Sequence, residues 1–148
     1  MSPKLALILF AAPLFSQPGA IEKAVLEVNA QMTQAAEARD IDRLFSFMLP
    51  NDHGSIAQSG FLFLTRDDAQ ASVKRSFATV QKIAYHWKHQ MVTVLSPDTA
   101  VLVADGESEA TFADGATVVT PFAQSVIFVR QDGAWKALHA HQSSPPRR

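Results

Sequence analysis

Three acidic residues, Asp105, Glu107 and Glu109, alternate along a segment rich in β-branched residues. In a strand, that spacing turns all three carboxylates to one face. A carboxylate drawn into an apolar space has a raised pKa and can move protons, whereas the same residues at a strand end are ordinary solvated charges. Tyr85 is the single tyrosine of the chain. Its phenol could donate to a developing oxyanion, or be a buried aromatic with one hydrogen bond. His139 and His141 share a strand face and could chelate a metal, but a stable zinc site takes at least three protein ligands. His86 and His89, three apart, face opposite ways on a strand, so no metal is expected. His53 sits in a turn-rich stretch and could edge a pocket mouth or be plainly exposed. There is no phosphate-binding glycine loop and no nucleophile elbow.

The elements that must position these residues divide the chain in two. Ile21, Val25, Val28, Met32 and Ala35 recur at three- and four-residue steps, which predicts an amphipathic helix over about 20–39. Asp40 can cap a second, short helix with Leu44, Phe45 and Met48 inward, stopping before Pro50. Asn51 to Ser55 form a turn or loop, and Ser55 to Gln58 a possible short strand. Thr65-Arg66-Asp67-Asp68 resembles a capping box, opening a third helix with Ala69, Val73 and Phe77 inward. Beyond Phe77, valine, isoleucine and aromatic residues dominate, broken by Ser96-Pro97-Asp98, Asp114-Gly115 and Asp132-Gly133. Four strands are expected, near 79–95, 99–112, 117–130 and 134–143, as an antiparallel meander. Helices followed by a meander imply an α+β fold with helices on one face of the sheet. Apolar residues on both faces of the last strands call for a cover on the second face, and another copy of the chain is the economical one.

Residues Leu5 to Phe15 form an apolar run after Lys4. The run is too short to span a bilayer and fits the core of a secretory signal peptide over residues 1–20. The expectation is a secreted or periplasmic protein with one domain over 21–144, a flexible tail over 145–148, and no membrane contact after cleavage. The chain has no cysteine, which excludes disulfides, thiol catalysis, Cys-ligated zinc and a lipoprotein anchor. A formal charge of −1 offers no general attraction for nucleic acid or anionic lipid.

The order of helix, Arg39-Asp40 turn, short helix, loop, third helix and meander resembles the nuclear transport factor 2-like superfamily, of the SnoaL-like type, over nearly all of 21–144. The most specific part is Val129-Arg130-Gln131-Asp132-Gly133-Ala134-Trp135 followed by His139-Ala140-His141-Gln142-Ser143. It is similar to the closing strand of the calcium/calmodulin-dependent kinase II association domain. The resemblance implies a cone-shaped fold with a pocket between three helices and a concave sheet, and dimers through the outer sheet face. Positions that carry pocket arginines in the kinase domain fall on Val126, Gln142 and near Glu107, so an anion-binding pocket of that kind is not expected. Isomerases and cyclases of the superfamily use an acidic general base. If the face of Asp105 is the concave one, Asp105 and Glu107 look into the pocket with Val103, Gln124, Val126, Phe128 and Gln142.

Three functions follow. The first is a binding protein for a small apolar or weakly polar molecule, with ligand contacts from Glu107, Gln124, Val126, Phe128, Gln142 and His53, and no cofactor. The second is an isomerase, cyclase or hydratase with Asp105 as general base and Tyr85 as helper. The third is an oligomerisation module with no ligand. His139 and His141 are expected on the outer, dimer-facing side.

Overall fold

The computed structural model describes residues 17–145. The expected leader lies largely outside the described residues, as does the Arg147-Arg148 tail.

Helix α1 (Pro18–Glu37) opens with proline in its first turn, where a missing N–H costs nothing. It buries Ile21, Val25, Asn29, Ala35 and Ala36 on one stripe. Arg39 adopts a left-handed φ of 58° and breaks the helix. Asp40 then caps α2 (Ile41–Ser46), its Oδ1 accepting from Arg43 N–H at 2.9 Å. Thr65 caps α3 (Arg66–Phe77) by accepting from Asp68 N–H at 3.0 Å, and its hydroxyl donates to the Asp68 carboxylate. Among the described residues, no helix is long and apolar enough to cross a membrane.

The long strands β3 (Val80–Ser96), β4 (Thr99–Phe112), β5 (Thr117–Gln131) and β6 (Ala134–Ser143) agree with the expected segments to within a residue. They form the expected meander, closed between β5 and β6 by Asp132 and Gly133 at φ 52° and 79°. Two positive φ values in succession are what a tight hairpin turn demands. The sheet is nevertheless mixed rather than wholly antiparallel. Strand β1 (Ile56–Gln58) pairs parallel with β6, and β2 (Phe61–Phe63) pairs antiparallel with β1. The spatial order is β2-β1-β6-β5-β4-β3.

Helices cover one face of this sheet. The core there joins Ile21 and Val25 of α1, Phe45 of α2 and Ala69 of α3 to Ala100, Leu102, Val126, Phe128, Trp135 and Ala137. The inward set on β4 is uncharged: Ala100, Leu102, Ala104 and Gly106 are all buried, whereas Val101 and Val103 lie on the other side. Two irregularities shape the sheet. Register shifts between Trp87 and His89, leaving Lys88 as an extra residue in β3. Leu138 is the extra residue in β6, since Ile127 faces His139 and Phe128 faces Ala137. The second bulge breaks simple two-residue alternation along β6. Trp135 and Ala137 are buried on the helix side together with the inward Ala140 and Gln142, because a bulge re-aims every side chain beyond it.

Gly106 lies beside the β3 bulge. A Cβ there would stand 2.4 Å from the His86 carbonyl oxygen, well inside contact distance and against backbone that cannot swing away. Gly106→Ala is therefore expected to cost about 1–3 kcal/mol of folding stability. Gly19→Ala, in open space within the first turn of α1, should be neutral or stabilising. Urea denaturation of the two variants beside the parent checks this; equal midpoints for both would contradict it.

Candidate functional site

The helices and the concave sheet face enclose a cavity of about 240 Å³. Met32, Ala36, Phe45 and Val73 supply apolar wall from the helices, and Ile56, Val126 and Ala140 from the sheet. At the wide end of the cone lies a vestibule of about 880 Å³, edged by Phe61, Phe112 and Val118. Gln58, Ser72, Ser76, Phe77, Tyr85 and Gln142 line both spaces, so the one opens into the other.

Three aromatic rings form the wall on the β3 side. Tyr85 and Trp87, two apart on β3, stack at 6.4 Å between centroids. Phe122 meets each edge-on, at 5.9 Å from Tyr85 and 5.2 Å from Trp87. Phe122 stands cross-strand from Gly106, and the missing side chain lets its ring reach across β4 to Trp87. The Tyr85 phenol is pushed up to about 12, mainly by burial and further by the nearby Glu37 carboxylate. The same carboxylate accepts from Tyr85 N–H at 2.9 Å, which ties α1 to β3 at the wall. Tyr85 is thus a neutral hydrogen-bond donor at any ordinary pH.

Strands β1, β6 and β5 contribute amides to the cavity lining. Gln58 and Gln142 are register partners across β1 and β6, and Gln142 and Gln124 across β6 and β5. Gln58 Nε2 donates to Gln142 Oε1 at 2.5 Å. On the helix side, the buried Asn29 donates through Nδ2 to Gln90 Oε1 at 2.9 Å. Among the described residues that line the cavity, Tyr85 is the single ionisable one. Among the described residues there is no cluster of three or more potential metal ligands.

The structure brings together Tyr85, Gln124, Val126 and Gln142 of the residues singled out in the sequence. Phe128 is fully buried in the core and does not line the cavity. His53 lies in the loop before β1, exposed, with its imidazole against its neighbour Asp52. The expected concave placement of Asp105 and Glu107 is corrected. Ala104, not Asp105, is the cross-strand partner of Gln124, and Asp105 faces Ala123. A shift of one residue exchanges the faces of a whole strand. Asp105 instead pairs with His89 at 2.7 Å, Glu107 with Lys88 at 2.8 Å and Glu109 with His86 at 3.8 Å, in a row on the outer face. The expectation for Val103 fails with theirs, and it lies 45% exposed on that outer face. His139 also lies outside the cavity, with Nδ1 at 2.8 Å from the Gly54 carbonyl oxygen, and His141 reaches the vestibule rim.

Sequence reasoning missed Trp87, Gln58, Asn29, Ser72 and Ser76. Trp87 carried a signal, its two-residue step from Tyr85. Gln58 carried none, since its place depends on a parallel pairing with a strand far along the chain.

Residues 25–147 match the family model described as a SnoaL-like domain. Among solved structures, the chain is similar to a protein of the NTF2-like family from Streptomyces avermitilis, at 20% identity and a TM-score of 0.79, covering 88% of this chain and all of that one. A nuclear transport factor 2-like superfamily protein from Salmonella enterica serovar Typhimurium gives 15% identity and a TM-score of 0.78, over 87% of this chain and 94% of the other. A type 2 hexachlorocyclohexane dehydrochlorinase gives 12% identity and a TM-score of 0.70, over 84% of each chain. At these identities the likeness establishes the fold. Comparison with curated proteins gave no match.

The environment of Tyr85 has a direct optical test, because no other tyrosine contributes to phenolate absorbance. The folded protein should titrate near pH 12, and the urea-unfolded chain near its ordinary value of 10.0. The folded state then holds its proton where the unfolded state has lost it, so stability should fall as pH rises between those two values. A folded-state midpoint at the unfolded value would contradict the burial argument.

Proposed function

The chain belongs to the SnoaL-like domain family, and from that premise we propose that it is an exported small-molecule-binding protein whose ligand occupies the cavity between helices and sheet. One observation carries this reading: an apolar cavity of about 240 Å³ that opens through a vestibule and holds a single ionisable group, kept neutral. Concave, mostly apolar spaces with a few convergent polar groups are where small ligands bind. A general-base enzyme is less well supported, because neither carboxylate nor histidine lines the cavity among the described residues. Export rests on the apolar run Leu5–Phe15 behind Lys4.

The protein is proposed to act as a homodimer joined through the outer sheet face. Leu95, Met91 and Val103 are 61%, 63% and 45% exposed there, and Met91 and Val103 are cross-strand partners. Contiguous exposed apolar side chains of this kind favour association.

Native mass spectrometry of protein purified from its own host tests both parts. The expected result is a chain lacking the leader, carrying a neutral small molecule that denaturation releases. An intact Met1 would contradict export, and a reproducibly empty protein would count against binding. Sedimentation at micromolar concentration should give a dimer, converted to monomer by Met91→Glu with the fold retained. A monomeric parent would sink the dimer proposal.

A further inference from the structure

The amide wall continues across most of the sheet. Following register partners inward from β1, the second strand of the sheet, the row runs Gln58 on β1, Gln142 on β6, Gln124 on β5, Ala104 on β4 and Gln90 on β3. Gln90 then takes the Asn29 amide of α1. Neighbouring strands lie about 4.8 Å apart, so Gln58, Gln142 and Gln124 span roughly 10 Å, the length of a two-ring molecule.

A primary amide carries two N–H donors and a carbonyl acceptor. The bond from Gln58 Nε2 to Gln142 Oε1 uses one donor of the first and one lone pair of the second. It leaves the Gln58 carbonyl and its second N–H, and both N–H groups and a second lone pair on Gln142, so donors and acceptors remain on both residues. Turning both amides over exchanges the two residues' roles and leaves the same mixture. A ligand edge that carries a donor and an acceptor together can use both kinds of group, as the cis-amide of a lactam or a cyclic imide does.

Charge points to the same class. Among the described residues no Lys, Arg or His lines the cavity, so a carboxylate or phosphate entering it would lose its hydration without a counter-charge from them. Nor does any carboxylate of the described residues line it to receive a cation. Tyr85 and Trp87 line the same cavity with aromatic side chains, against which a flat molecule can pack.

We propose that the ligand of this cavity is an uncharged, planar lactam or cyclic imide, held by its cis-amide edge on the Gln58–Gln142 pair and by its ring against Tyr85 and Trp87. The inference rests on the ligand-binding reading and specifies the chemistry of the same site.

The test compares three bicyclic probes of similar size: carbostyril, a fused-ring lactam; naphthalene, its apolar counterpart; and naphthoate, an anion. Affinities are read by quenching of tryptophan fluorescence in the Trp135→Phe background, so that Trp87 reports alone. Carbostyril should bind about tenfold more tightly than naphthalene, and naphthoate more weakly than either. Gln142→Leu and Gln58→Leu keep the bulk and remove the amide, and each should erase the preference for carbostyril. Naphthoate binding as tightly as carbostyril, or a lactam preference that survives both substitutions, would overturn the lactam assignment while leaving the pocket reading intact. If none of the three probes binds the parent protein, the pocket reading falls and the lactam assignment with it.

Discussion

Strand β4 carries apolar residues on both faces, but one face also carries charge. Ala100, Leu102, Ala104 and Gly106 form one set, while Val101 and Val103 share the other face with Asp105, Glu107 and Glu109. Burying three carboxylates costs far more than exposing two valines, so the uncharged set turns inward. Everything else depends on that choice. It sends Asp105, Glu107 and Glu109 outward to partners on β3, where they form exposed cross-strand pairs. It also lets Phe122 lie over Gly106 and complete the aromatic wall with Tyr85 and Trp87. The carboxylates and the cavity are thereby separated by the thickness of the sheet.

With charge kept outside, the interior is polar without being ionic. Among the described residues, its hydrogen-bonding groups are amides, hydroxyls, the Trp87 indole N–H and one protonated phenol. Such groups discriminate by geometry: each needs a partner at the right distance, and a buried amide left unpaired costs on the order of 1–3 kcal/mol. Asn29 illustrates the requirement, since it is nearly fully buried on α1 and its Nδ2 donates to Gln90 of β3.

The local signals in the sequence were strong where chain neighbours decide structure. Periodicity marks α1, Asp40 and Thr65 mark the caps of α2 and α3, and Asp132-Gly133 marks the last hairpin. Strand limits follow from the same turn residues. What stayed hidden is set between distant segments. In β4 the valines Val101 and Val103 share a face with Asp105, Glu107 and Glu109, so apolar content and charge do not mark opposite faces, and the pairing of Gln124 with Ala104 rather than Asp105 is set only by the register with β5. The extra residue at Leu138 brings Trp135 and Ala137 to the same side as Gln142, which simple parity in β6 forbids. The β1–β6 pairing has no turn to announce it, and Gln58 went unnoticed for that reason.

That pairing also bears on the order of assembly. Gln58 and Gln142 are 84 positions apart along the chain and meet only when β6 has docked between β1 and β5. Contacts of such separation carry a large loop-closure cost and tend to form late. The amide edge of the cavity is consequently a property of the completed sheet. A chain still lacking β6 would have neither the Gln142 amide nor the parallel pairing that brings Gln58 to it, and so no means of recognising a ligand by that edge.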